Sequence, residues 1–132
     1  MNEVHHLSLY IDCPVQTVYQ FASNPVNLPL WAAGLAQSNV IQEGNLWLVE
    51  APFGRVRIEF APANPFGVMD HTVELEDGER VYNPMRVVPH GDGCEFTFTL
   101  FRRDGMSDEA FFRDKMAVIN DLNALKERME NH

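Results

Sequence analysis

Residues 69–87 run Met69-Asp70-His71-Thr72-Val73-Glu74-Leu75-Glu76-Asp77-Gly78-Glu79-Arg80-Val81-Tyr82-Asn83-Pro84-Met85-Arg86-Val87. Apolar and polar residues alternate on both sides of Glu76-Asp77-Gly78, the pattern of two half-buried strands joined by a turn. Successive side chains of a strand point to opposite faces, so the loop length fixes which residues share a wall. A three-residue loop, with Gly78 in the left-handed backbone position, sets odd residues opposite odd residues. Met69, His71, Val73, Leu75, Val81, Asn83, Met85 and Val87 then share one face. Asp70, Thr72, Glu74, Tyr82, Pro84 and Arg86 share the other. A two-residue loop would set Arg80 and Arg86 beside Val73 and Leu75 and waste apolar surface, so the odd loop is expected.

Downstream, a four-residue loop from His90 to Gly93 would place Val87, Met85 and Asn83 opposite Phe96, Phe98 and Leu100. The resulting inner wall is apolar except for His71 and Asn83. A buried polar group without a partner costs on the order of 1–3 kcal/mol, so each needs a protein partner or a ligand. Upstream, Val56, Ile58 and Phe60 alternate with Arg57 and Glu59. Turn signals at Gly44-Asn45, Pro52-Phe53-Gly54 and Ala63-Asn64-Pro65 divide the rest of 37–103 into short runs, about six strands in all. Their connections are too short for crossover helices, which makes the strands antiparallel neighbours.

The flanks complete the plan. Leu7, Leu9 and Ile11 alternate with Ser8, Tyr10 and Asp12 as a first strand. Pro14 suits a helix start, Val15, Val18, Tyr19 and Ala22 give that helix an apolar face, and Asn24-Pro25 stops it. A second short helix is expected from Leu28 to Ala33, ending at Gly34. Ser107 to Glu130 reads as one long helix of roughly 36 Å, capped by Ser107, with Asp108 and Glu109 at the positive end of its dipole. Glu109 and Arg113 are correctly spaced for an ion pair. Its apolar stripe comprises Phe111, Val118, Leu122, Leu125 and Met129, with Phe112, Met116 and Ile119 alongside. A one-faced meander must be covered, and this helix is the element large enough to do it. The expected fold is α+β: a curved seven-stranded antiparallel sheet around a long C-terminal helix, with two short helices between strands 1 and 2. The whole of 1–132 forms a single domain.

The 132 residues include 10 Lys and Arg against 19 Asp and Glu, a net charge of −9. Such a field repels phosphate backbones, so no nucleic-acid partner is expected. The longest uncharged apolar stretch, Leu28 to Ala36, is interrupted by Pro29 and Gly34 and falls short of the roughly 20 residues of a membrane span. Cys13 and Cys94 form no metal spacing, and the N-terminus shows no secretory pattern, which together point to free thiols and a cytoplasmic location.

Few residues carry recognisable chemistry. Asp70 and His71 face opposite sides of a strand and cannot serve one substrate together; Asp70 is expected to meet Arg86 across the outer face. His71 alone is a weak candidate general acid or base, against the plainer role of a satisfied core histidine. His5-His6 lacks metal-ligand spacing, Gly91-Asp92-Gly93 precedes no helix, and no nucleophile motif is present, so neither metal nor cofactor is assigned. Trp31 and Trp47 are large enough to floor a cavity, and Phe112 and Met116 to wall one, although core packing is the ordinary use of such residues. Arg102-Arg103-Asp104-Gly105 reads as a solvated strand end.

Several segments carry a family resemblance. They are Asp12-Cys13-Pro14-Val15, Tyr19-Gln20-Phe21, Asn24-Pro25-Val26-Asn27 leading to Trp31, Phe66-Gly67-Val68-Met69-Asp70-His71, Asn83-Pro84-Met85-Arg86-Val87, and Phe98 to Arg103 followed by Gly105-Met106-Ser107-Asp108-Glu109. Over nearly its whole length the chain resembles a START-related, polyketide-cyclase-like (SRPBCC) protein. The resemblance implies a helix-grip fold with a cavity between sheet and C-terminal helix, used by members for lipids, hormones or polyketides and by some for cyclisation or dehydration. It implies no particular catalytic residue. The leading expectation is binding of a small apolar or amphipathic molecule by Trp31, Trp47, Met69, His71, Asn83, Met85, Phe98, Phe112 and Met116. The alternatives are a cyclase or dehydratase using His71, and an interaction module whose cavity has collapsed; a homodimer is compatible with each.

Overall fold

The computed structural model describes residues 2–131. Strand β1 (Val4–Ile11) leads into helix α1 (Val15–Ala22), a 3-10 turn (Pro25–Asn27) and the short helix α2 (Leu28–Trp31). Strands β2 (Ile41–Glu43), β3 (Leu46–Ala51), β4 (Gly54–Phe60), β5 (His71–Glu74), β6 (Arg80–Asn83), β7 (Met85–His90) and β8 (Gly93–Phe101) follow, and α3 (Asp108–Glu130) closes the chain. Pro14 stands just outside α1 as its N-cap, and α2 ends three residues before Gly34. The second short helix begins at Leu28 as expected but is a single turn, led into by the 3-10 turn.

The ladders are all antiparallel, in the orders β2-β3-β4-β5-β6 and β1-β8-β7. Pro84, which has no N–H to give, separates β6 from β7, but one register runs through it. His71 faces Asn83, Val68 bridges Arg86, Met69 N–H donates to Met85 O at 2.8 Å and Val87 N–H to Gly67 O at 3.0 Å. β6 and β7 are thus one bent path, and the sheet has the expected seven strands.

Loop length decides the walls as parity requires. Leu75 N–H donates to Glu79 O at 2.8 Å, leaving Glu76-Asp77-Gly78 as a three-residue loop with Gly78 at φ 89°. Met69, His71, Val73, Met85 and Val87 are buried. The next hairpin is tighter than expected: His90 pairs with Gly93, so the loop is the two residues Gly91 and Asp92. Removing one residue from each end of a loop keeps the parity, and Met85 still faces Phe98 and Val87 still faces Phe96.

α3 is fastened to the sheet at both ends. Ser107 Oγ accepts from Ala110 N–H at 3.1 Å, capping its start. At its far end, Lys126 Nζ donates to Tyr10 O at 2.7 Å and Glu130 Oε2 accepts from Asp12 N–H at 2.7 Å. Arg102 is no solvated strand end. Its guanidinium donates to Met106 O at 2.8 Å, pairs with Glu3 at 2.9 Å and Asp108 at 2.7 Å, and lies over the Phe111 ring. The core, with Ile11, Val18, Leu28, Val49, Val56, Ile58, Phe96 and Leu125 fully or almost fully buried, fills the space between sheet and helices.

Candidate functional site

Packing is incomplete toward the β5–β6 turn. There the sheet, the α2 segment and α3 border a cavity of about 780 Å³ that opens to solvent. Its wall is mostly apolar, with Leu28, Val56, Val73, Val81, Met85, Phe98 and Leu122 among its members. Its size lies within the range of small-molecule sites, roughly 300–1,000 Å³.

His71 is its most buried polar member, 4% exposed, with its ring stacked on Phe60 at 4.9 Å and edge-on to Phe98 at 6.1 Å. Nδ1 lies 3.1 Å from Met69 O. A carbonyl only accepts, so Nδ1 carries the proton and Nε2 is a bare acceptor. Nε2 has no partner among the described residues, and the ring borders the cavity. Burial holds the imidazole below its ordinary pKa, outweighing the Met69 bond and the Asp70 charge that favour protonation. His71 is therefore neutral at pH 7 and can accept a hydrogen bond or a proton, but has none to donate from Nε2.

Asn83, directly across the ladder from His71, also lines the cavity, as do Trp31, Met85 and Phe98. Trp31 Nε1–H is buried without a partner among the described residues. The other four expected wall residues lie elsewhere. Trp47 packs on the core at the end of β3 remote from the Pro52-Phe53 turn, and that turn is the part of the hairpin bordering the cavity. Met69 lies past His71 in solid core, 1% exposed, and its carbonyl holds His71 Nδ1. Phe112 and Met116 are on the outside of α3, 62% and 38% exposed. The Glu109–Arg113 pair does not form; Arg113 borders the cavity instead.

Toward the cavity α3 turns Val118 and Leu122 of its apolar stripe together with Arg113, the small Ala110 and Ala117, and the carboxylates Asp114 and Asp121. Asp121 Oδ1 accepts from Gly34 N–H at 3.2 Å. Burial pushes its carboxyl up to about 6 against the pull of that bond. Burial raises Asp114 as well, although Arg103 and Arg113 oppose it. Gly34 fits closely here: a Cβ would stand 2.9 Å from Asp121 Oδ2 and 3.2 Å from Ala117 Cβ. The signal available in the sequence was the alternation of Ala and Asp along one flank of the helix, which ordinarily reads as solvated surface.

On the outer face, Asp70 meets Arg86 at 2.8 Å, as expected, and also accepts from Tyr82 O–H and Met85 N–H, each at 2.9 Å. Burial alone would raise its pKa, but these bonds together hold it below the ordinary value. They pin the Pro84 bend. Among the described residues no three His, Cys, Asp or Glu side chains gather as metal ligands, and no helix is long and apolar enough to cross a membrane.

No family sequence model matches the chain, and neither does any curated protein. Solved structures do resemble it. XoxI from Bacillus cereus is 14% identical with a TM-score of 0.77, over 97% of this chain and 96% of that one. Ara h 8.0201 is 16% identical at the same TM-score, with 100% of each chain covered. A START superfamily protein from Mycobacterium smegmatis is 10% identical with a TM-score of 0.75, over 96% and 97%. At such identities the likeness is one of architecture. The fold is the helix-grip fold of START-related (SRPBCC) proteins.

Proposed function

We propose that the chain binds a small, mostly apolar molecule between its sheet and α3, with His71 and Asn83 orienting the guest's polar end. The observation that carries this reading is an apolar cavity of about 780 Å³ into whose wall a nine-tenths-buried histidine is set with one ring nitrogen unpartnered. A collapsed interior would have sealed that nitrogen or paired it. Met85, Phe98 and Trp31 supply the apolar surface, and a ligand hydroxyl or amine satisfies Nε2 by donating to it.

Uptake of the neutral lipophilic dye Nile red tests the reading: fluorescence enhancement that saturates at one dye per chain is expected. Asn83→Leu should weaken retention of polar-headed guests while the fold survives; an empty dye titration together with a merely more stable variant would defeat the proposal. Native mass spectrometry of freshly purified protein adds a direct readout, since a carried-over guest shows as added mass and a homodimer as doubled mass. Proton-transfer catalysis finds narrower support, because a neutral His71 with its only proton committed to Met69 is equipped as a base and not as an acid.

A further inference from the structure

We infer that the guest is an amphipathic amine, an apolar body ending in a basic, N–H-bearing nitrogen that seats on Asp121 of α3. The inference rests on the ligand-binding reading above and specifies its chemistry. It stands on what each hydrogen-bonding group in the wall still lacks.

Four carboxylates line the cavity, Glu76, Asp77, Asp114 and Asp121, against the two guanidiniums of Arg103 and Arg113. Glu76 and Asp77 stand exposed to water at the rim. Glu76 accepts from Arg55 N–H at 2.7 Å, and Asp77 from Glu79 N–H at 2.9 Å. Asp114 lies in the field of both guanidiniums. Asp121 has only Gly34 N–H on Oδ1; among the described residues no cation stands within ion-pair distance and Oδ2 accepts no bond. Arg103 does not reach it, being held by Glu79 at 3.0 Å.

His71 makes the same demand independently. It is 4% exposed, its Nδ1–H is spent on Met69, and Nε2 offers the cavity a lone pair. Trp31 Nε1–H is a donor without a partner among the described residues, but packing closes it off. Donors border the cavity too, the Asn83 amide and the guanidiniums of Arg103 and Arg113, but both guanidiniums act on Asp114, whereas among the described residues no cation compensates Asp121. A carboxylate, sulfate or phosphate head set beside Asp121 would meet a like charge, in a chain whose net charge is already −9. A neutral alcohol would satisfy one acceptor and leave the carboxylate uncompensated. An ammonium does both, through charge-assisted bonds in a site partly withdrawn from water.

A matched set of guests tests this: 2-(2-naphthyl)ethylamine, 2-(2-naphthyl)ethanol and 2-naphthylacetate, titrated into the full chain by calorimetry at pH 7.5, with Nile red as an independent reporter of the cavity. The amine should bind about tenfold or more tighter than the alcohol, and the acetate weakest. Asp121→Asn keeps an oxygen for Gly34 N–H and should cut the amine-to-alcohol ratio at least about fivefold. Lowering the pH from 7.5 to 5 should erode the same ratio in the unaltered protein as Asp121 takes up a proton, giving a second readout if the variant fails to fold. His71, held below its ordinary pKa by burial, Asp114, under the guanidiniums of Arg103 and Arg113, and Glu76 and Asp77 at the rim are the other groups facing this space, and His71→Gln separates the first from Asp121. Equal or tighter binding of alcohol or acetate, or a ratio untouched by both Asp121→Asn and pH, overturns the inference while Nile red uptake leaves the binding reading standing. If Nile red and all three guests fail to bind, both fall together.

Discussion

Asp121 carries a cost that its surroundings do not remove. Its carboxylate is drawn out of water beside Ala117 and Gly34 with one backbone donor for company, and its pKa rises to about 6. A carboxyl whose folded pKa lies above its unfolded value makes the native state the better proton binder, so stability falls as pH rises from about 4 to about 6. Asp121→Asn should therefore stabilise the guest-free protein by about 1–2 kcal/mol at pH 7 in urea unfolding, the gain vanishing near pH 4. A variant that is more stable yet poorer at holding an amine is the expected signature of a residue kept for binding. Its role was not legible beforehand, because an aspartate in mid-helix ordinarily faces solvent. His71 and Asn83 were legible, since strand parity leaves a side chain two choices and the apolar neighbours select one. Parity names the face but not the depth along the strand: Met69 and His71 share a wall, yet the first is core and the second borders empty space.

For α3 as an element, the apolar residues were an incomplete guide to the cavity: Val118 and Leu122 reach it, whereas Phe112 and Met116 do not. At 3.6 residues per turn, Phe111, Val118, Leu122, Leu125 and Met129 form the seam that packs on the sheet. Ala110, Asp114, Ala117 and Asp121 lie on one flank of that seam, with Phe112 and Met116 on the opposite flank. The small and acidic flank borders the cavity; the large apolar one is outside. Space is made where side chains are short, so a hollow is announced by alanine more than by phenylalanine. Ala117→Leu should fill it: Nile red uptake is expected to drop about tenfold or more, while thermal stability holds or rises because added apolar atoms enter existing room rather than packed core. If the dye still binds as before, the hollow described here is not where it goes. Arg102 shows the reverse limit of reading by composition. Two arginines at a strand end suggested solvent, whereas one of them gathers a carbonyl, two carboxylates and an aromatic ring at the start of α3.

The whole molecule was more legible than its parts. Short connections force antiparallel neighbours, an apolar face must be covered, and one helix was long enough, so architecture followed with little room for alternatives. The bend at Pro84 and the exact loop at Gly91-Asp92 were not readable, because both depend on the twist of a completed sheet. Both thiols lie within that completed structure, and Cys94 is pushed up to about 11, chiefly by burial with the charges of Cys13 and Glu95 adding, while burial also raises Cys13. Ellman's reagent should then label the native protein at least about a hundredfold more slowly than the urea-unfolded chain, with both cysteines exposed together if opening is global. Among the described residues β1 pairs with β8 alone, Val4 facing Phe101 and Ile11 facing Cys94. On a ribosome adding 5–20 residues per second, the first strand is made about ninety residues before the strand it needs, a wait of about 4–20 s. During that interval Leu7, Leu9 and Ile11 travel unsheltered, so the strand made so far ahead of its partner has much to gain from a chaperone at the exit tunnel.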